Sequence, residues 1–345
     1  MNRPKALNAL THAMVGRIQE ALLAWRDDPA VALILIDGAG ARGLCAGGDV
    51  RSLYESRAHG SGYARAFWRD EYRLNALIGR YPKPCVALQD GIVMGGGIGL
   101  SGHARHRIVT ERSQLAMPET GIGLIPDVGG TWLLAHAPGE TGACLGLTGE
   151  SMRPADAIHA GFADSFVPAA ALPVLIERLS DPNGDVVGSV IAGSAQAAGA
   201  SELAQRAGDI DRLFSGASVE AIVASLEGEG GDWAAKVRAL LAQKSPKSLK
   251  LTLAAIRRAR QLASLEEALK AEYRLTVRLF EDGEFPEGVR ALIVDKDRKP
   301  RWSPPDLAGV TDDLVARYLA PLPESEELTF AEVSDPPGLT PVRKP

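Results

Sequence analysis

The chain has 345 residues, 46% of them hydrophobic and 23% charged, with a formal net charge of −5. That composition excludes disordered, collagenous and membrane-spanning classes, and the acidic balance argues against non-specific nucleic-acid binding, which needs a basic excess. At roughly 150 residues per domain, the length suits about two domains or one large domain with additions.

Met1-Asn2-Arg3-Pro4 leads without a signal-peptide pattern into Leu10, Met14, Ile18, Leu22 and Trp25. Their spacing predicts an amphipathic helix over 8–26, stopped by Asp27-Asp28-Pro29. The apolar run 31–37 reads as a buried strand, and Gly38 to Gly48 as a Gly-rich loop. A helix is expected over 62–80, a strand over 84–94, and a short helix opening at Gly95-Gly96-Gly97. Strands follow at 107–111 and 114–117, then helices at 129–137 and 153–160, the latter capped by Gly161. Residues 1–180 thus repeat strand, loop and helix. Residues 181–235 read as a linker with a helical excursion and 236–320 as a helical region. Residues 321–345, rich in Pro and charge, read as a disordered tail.

Cys45, Cys85 and Cys144 are odd in number, widely spaced and without a CxxC pair. They read as buried apolar side chains in a reducing compartment, with a cytoplasmic location expected. No GxSxG elbow, phosphate loop or HExxH is present. His103 and His106 share a helical spacing, but Arg105 and Arg107 beside them would repel a metal cation, and no metal is expected. Gly97-Ile98-Gly99-Leu100-Ser101-Gly102 matches GxGxxG after a strand, which keeps a NAD-dependent dehydrogenase as a distant alternative.

Two separated Gly-rich loops suggest different chemistry. Cys45-Ala46-Gly47-Gly48-Asp49 and Gly95-Gly96-Gly97 each follow a strand, and the second opens a helix. Backbone N–H groups from two such loops, unobstructed by Cβ atoms, can converge as an oxyanion hole. Glu119 and Asp127 each follow a proline in apolar surroundings, so one carboxyl is expected to titrate high, as a general acid or base requires. Glu71 falls on the apolar stripe of Tyr63, Phe67, Leu74 and Ile78, which points a third carboxylate inward.

Asn2-Arg3-Pro4-Lys5-Ala6-Leu7-Asn8-Ala9-Leu10, Ala46-Gly47-Gly48-Asp49 and the triple glycine resemble the crotonase (enoyl-CoA hydratase/isomerase) superfamily. The resemblance implies an α/β fold, a crotonase-type ββα spiral core with a helical C-terminal region, and an acyl-CoA thioester held by two backbone N–H groups. By position these would be Gly48 and Gly96. Hydratases of this family carry a catalytic glutamate just after the triple glycine, where this chain has Gly99. The run from Met117 to Gly130, Asp70-Glu71-Tyr72, and the C-terminal runs Glu287 to Leu292 and Asp295 to Trp302 resemble the 3-hydroxyisobutyryl-CoA hydrolase branch.

That branch implies substrate contacts at Glu71, Gly96, Glu119 and Asp127. The reaction implied is hydrolysis of a short 3-hydroxyacyl-CoA, with 3-hydroxyisobutyryl-CoA of valine breakdown as the expected substrate. Glu119 would activate water or attack directly through an anhydride. Asp127 would bind the substrate hydroxyl or tune Glu119, and Glu71 would orient the acyl group. An enoyl-CoA hydratase or isomerase is the alternative. CoA enters as part of the substrate, no cofactor is expected, and Arg3 and Lys5 are candidates for its phosphates. Acyl-CoA is the expected partner, with no nucleic acid or membrane, and a homo-oligomer is among the arrangements implied. Family members usually carry a strand or hairpin before the Asn-Arg-Pro segment, so either that edge of the fold is expected to be missing or the start site to be misassigned.

Overall fold

The computed structural model describes residues 1–181 and 186–330. In chain order its first half comprises α1 (His12–Arg26), β1 (Ile34–Ile36), α2 (Val50–Ser56), α3 (Gly62–Gly79), β2 (Cys85–Gln89), β3 (Ile92–Met94), α4 (Gly96–Ser101), β4 (His106–Val109), β5 (Gln114–Ala116), α5 (Gly130–Ala135), α6 (Thr141–Thr148), α7 (Pro154–His159) and β6 (Ser165–Phe166). Strands β1, β2, β4 and β6 form one parallel sheet in that order, and β3 pairs in parallel with β5 in a second. Parallel neighbours need crossover connections, supplied here by α3 and α4. All five residues of β2 are buried, as the unbroken apolar run of a covered parallel strand requires.

The single strand expected over 84–94 is two strands in two sheets. The break falls at Gly91, whose φ is +68° and where a Cβ would lie 2.7 Å from the Gly43 Cα. Only glycine takes that turn without strain. The next repeat breaks between β4 and β5, and the two breaks are tied together. The Thr110 hydroxyl donates to Asp90 (2.6 Å) and the Ser113 hydroxyl to the Gln89 carbonyl (2.6 Å). Each repeat therefore feeds one strand to each sheet, which is the ββα spiral.

The first helix starts at His12, later than the periodicity suggests, because Thr11 caps it by accepting from the Met14 N–H. Leu7 and Asn8 adopt left-handed backbone (φ 51° and 55°). The Asn8 amide donates to the Ala39 and Gly43 carbonyls, and Arg3 bonds the Ala9 carbonyl and pairs with Asp49 (3.2 Å). Arg3 thus pins the Gly-rich loop through one nitrogen of its guanidinium. Leu10 leaves the predicted helix and bridges Gly48 in parallel register.

Helix α6 has no counterpart in the sequence reading. All eight of its residues are buried, so it has no polar face to create a period. Helices Pro246–Ala259 and Leu265–Glu281 close over α3, α5 and α6. Within the expected linker, helix Val187–Ala192 packs Val190 and Ile191 against the core around Val86, Leu88 and Ile108. Helices Ala207–Phe214, Val219–Glu229 and Gly231–Leu241 build a small core of their own with α6. Residues 182–185 lie outside the described residues.

The expected disordered tail is corrected over residues 321–330. Leu322 and Leu328 are buried, Glu326 pairs with Arg65 (2.7 Å), and Glu327 pairs with Arg274 (2.9 Å). Residues 331–345 lie outside the described residues. No described helix is long and apolar enough to cross a membrane.

Candidate active site

A cavity of about 200 Å³ opens between the two Gly-rich loops. Gly47, Gly48, Gly95 and Gly96 form one wall, Glu71, Glu119 and Asp127 reach it from three other elements, and Phe67, Trp68 and Phe285 supply apolar surface.

The two loops meet at Gly48 and Gly96. Leu10 donates to the Gly47 carbonyl, and the Asp49 N–H donates back to Leu10. That register commits the flanking groups and turns the N–H of Gly48 to the opposite side. Gly96 is the first residue of α4, so its N–H has no intrahelical partner. A Cβ on Gly96 would lie 3.2 Å from the Gly48 nitrogen and 2.7 Å from Glu71 Oε1. At Gly95 (φ +49°) a Cβ would fall 3.0 Å from Glu119 Oε1. The backbone of Gly48 favours glycine at 96 and the positive φ favours it at 95, and a carboxylate comes against each.

Glu71 is buried on α3 beside Phe67, Leu74 and Ile78, as its stripe predicted, although Tyr63 of that stripe is 40% exposed. Glu119 opens a short 3-10 turn. Glu71 Oε1 and Glu119 Oε2 are buried and have no hydrogen-bond partner among the described residues. Asp127 accepts from the Tyr72 hydroxyl (2.7 Å). Burial, and then the charge of Asp127, pushes the carboxyls of Glu71 and Glu119 well above the ordinary range. Burial also lifts Asp127, to about 7, against the lowering effect of the Tyr72 bond. Three acids in one apolar cleft cannot ionise together, and the protons they retain at neutral pH belong to the set.

The structure brings Gly48, Glu71, Gly96, Glu119 and Asp127 together around one space. It sets the GxGxxG match aside. Gly97 to Gly102 lie in or just after α4, and a Cβ on Gly97 would meet the Cys45 carbonyl oxygen at 2.2 Å. These glycines let a helix pack on the neighbouring chain segment and leave no phosphate turn, which corrects the dehydrogenase alternative. His103 belongs to no metal pair: its Nε2 bonds the Val128 carbonyl (2.8 Å). An oxygen there can only accept, so Nε2 carries the proton. Burial holds that imidazole down to about 4, hence neutral.

The sequence reading gave no role to Tyr72, Lys244 or Glu272. The charge of Lys244 partly offsets the upward push on Glu119. Glu272 sits on the inward face of helix Leu265–Glu281 beside Leu269, Tyr273 and Thr276, the same signal that exposed Glu71.

Residues 1–319 match a family model described as enoyl-CoA hydratase/isomerase. The mitochondrial 3-hydroxyisobutyryl-CoA hydrolase of Xenopus tropicalis is 41% identical over 94% of this chain and 86% of its own length. The enzyme of the same name from Rattus norvegicus is 42% identical over 96% and 87%. A crystal structure of a carnitinyl-CoA dehydratase from Mycobacterium thermoresistibile superposes with a TM-score of 0.91 at 46% identity, covering 96% of this chain and 95% of that one. The names of both hydrolases place those enzymes in mitochondria, which overturns the cytoplasmic expectation.

Proposed function

The chain belongs to the enoyl-CoA hydratase/isomerase family, and we infer that within it the chain is an acyl-CoA thioester hydrolase that splits 3-hydroxyisobutyryl-CoA into 3-hydroxyisobutyrate and CoA. The observation that carries this reading is Gly99. Its Cβ would lie 2.8 Å from both Asn75 Nδ2 and Val128 Cβ, so the place where a hydratase of this family holds a second glutamate has no room for a side chain. Three acids on the other walls take over instead.

In the reaction we propose, the thioester carbonyl oxygen accepts from the N–H groups of Gly48 and Gly96. These stabilise the charge that develops as the carbon becomes tetrahedral. Glu119, ionised, takes a proton from the attacking water and returns it to the departing sulfur of CoA. Water thereby supplies the hydroxyl of the acid and the hydrogen of the thiol, and no group beyond substrate, water and these residues is required. Its unpartnered Oε2 is free to meet that water. Direct attack by Glu119, through an acyl anhydride that water then opens, uses the same geometry. Asp127 receives the 3-hydroxyl of the substrate or tunes Glu119, and Glu71 orients the acyl group.

Hydration is the second reading, favoured by the dehydratase named among the solved structures. Thiol release from 3-hydroxyisobutyryl-CoA, measured beside loss of the conjugated double bond of crotonyl-CoA, separates the two. Release without hydration is expected; hydration without release would overturn the hydrolase reading.

A further inference from the structure

Glu272 is a carboxylate from the C-terminal helical region, far from the site in sequence and fully buried. It is not lining the cavity, yet every one of its bonds goes to the turn that carries Asp127. One oxygen accepts the Gly129 N–H (2.7 Å). The other accepts the Thr131 N–H (2.9 Å) and the Thr131 hydroxyl. The turn needs holding. Val128 has φ 54°, a conformation costly for a β-branched residue, and Gly129 follows at φ 80°. His103 grips the same turn through the Val128 carbonyl. One helical turn after Glu272, Thr276 lies 3.4 Å from the Tyr72 hydroxyl, which donates to Asp127. Helix Leu265–Glu281 thus secures the backbone just after Asp127, while Tyr72 of α3 holds its carboxylate.

We propose that Glu272 is a positioning residue for hydrolysis: it caps the start of α5 from a distant helix and so fixes the aim of Asp127 into the cavity. Glu272 touches neither substrate nor cavity wall and acts through the strained Val128-Gly129 turn. The role rests on the reading of Asp127 given above. It also ties the C-terminal helical region to catalysis, through a side chain that reaches the turn from outside the cavity lining.

The test is a cycle of Glu272→Gln and Asp127→Asn in the full-length protein, measured well below the melting temperature of each variant. The Gln amide turns a donor towards one of the three donors that Glu272 now satisfies. Leaving one of these buried donors unsatisfied predicts a fall in kcat of about ten- to hundredfold on 3-hydroxyisobutyryl-CoA. The fall should be smaller on isobutyryl-CoA, which lacks the hydroxyl, with KM changing less than kcat. In the Asp127→Asn background the same change should cost little more, because the residue it aims is already disarmed. Glu272→Asp should recover part of the loss. Multiplying effects in the double variant, or an equal loss on both substrates, overturns the positioning role. An inert Asp127→Asn overturns the role of Asp127 itself, and with it the proposal. Should Glu272→Gln fail to fold, Thr131→Val removes only the hydroxyl donor and reads the same coupling at about two- to tenfold.

Discussion

Two groups of buried acids differ in how completely they are bonded. On the cavity side, Glu71 and Glu119 are each almost fully enclosed, and each keeps an oxygen without a partner among the described residues. On the far side, Glu272 meets three donors, and Glu284 accepts from Ser245 (2.5 Å) and pairs with Lys247 (3.2 Å). Leaving a buried carboxyl oxygen unpaired costs more than a typical hydrogen bond returns, and among the described residues the buried carboxyl oxygens left so are those of Glu71 and Glu119, beside the two Gly-rich loops. Acids with all bonds made hold the scaffold, and acids with bonds left open await a substrate or a water.

The comparison can be broken in several ways. The largest effect is expected from Glu119→Gln, which keeps size and removes the proton acceptor: kcat should fall by about 10²–10⁴ with little change in KM. Activity near that of the parent protein would move the base to Asp127 or Glu71. Gly96→Pro deletes one oxyanion donor and should cost about 10²–10³ in kcat. Circular dichroism of the same sample must show a folded chain, and normal turnover in it would place the donor elsewhere. Asp127→Asn should lower kcat/KM by about tenfold more on 3-hydroxyacyl-CoA than on acyl-CoA lacking the hydroxyl, as expected for one lost hydrogen bond to a charged group. Equal losses on both would leave Asp127 only its tuning role.

The smallest effect is in stability against pH. Asp127 titrates near 7 in the folded protein and near 4 when unfolded, so the fold binds the extra proton between those values. Stability from this group is present at low pH and declines as pH rises towards 7. Asp127→Asn should therefore shrink the drop in melting temperature between pH 5 and pH 8, and an unchanged drop would show that the carboxyl is not held protonated. The acid side of the activity profile should likewise sit above the ordinary glutamate value of about 4.3, because burial raises Glu119.

The five site residues read from the sequence stand around one cavity, and the reasons are local. Glycines beside strand ends, prolines before acids and a carboxylate on an apolar helical stripe each leave a short-range mark. Tyr72 and Glu272 left the same mark but needed a partner to give it meaning. Tyr72 bonds Asp127 across 55 positions, and Glu272 bonds Gly129 across 143. Spacing along the chain carries no record of such a meeting.

The sequence by itself determined the alternation of strand and helix in the first half, the helical character of the second, and the inward acids, because periods of two and 3.6 and the demands of burial act within a few residues. Only the tertiary structure decided where a run of apolar residues splits between two sheets at Gly91, that the wholly buried α6 is a helix, and that residues 321–330 strap onto α3 and helix Leu265–Glu281 through Arg65 and Arg274. It also decided which acids stay unpaired. Those outcomes depend on groups far apart in the chain meeting in a close-packed interior, where one Cβ too many at Gly96 or Gly99 would exclude the arrangement.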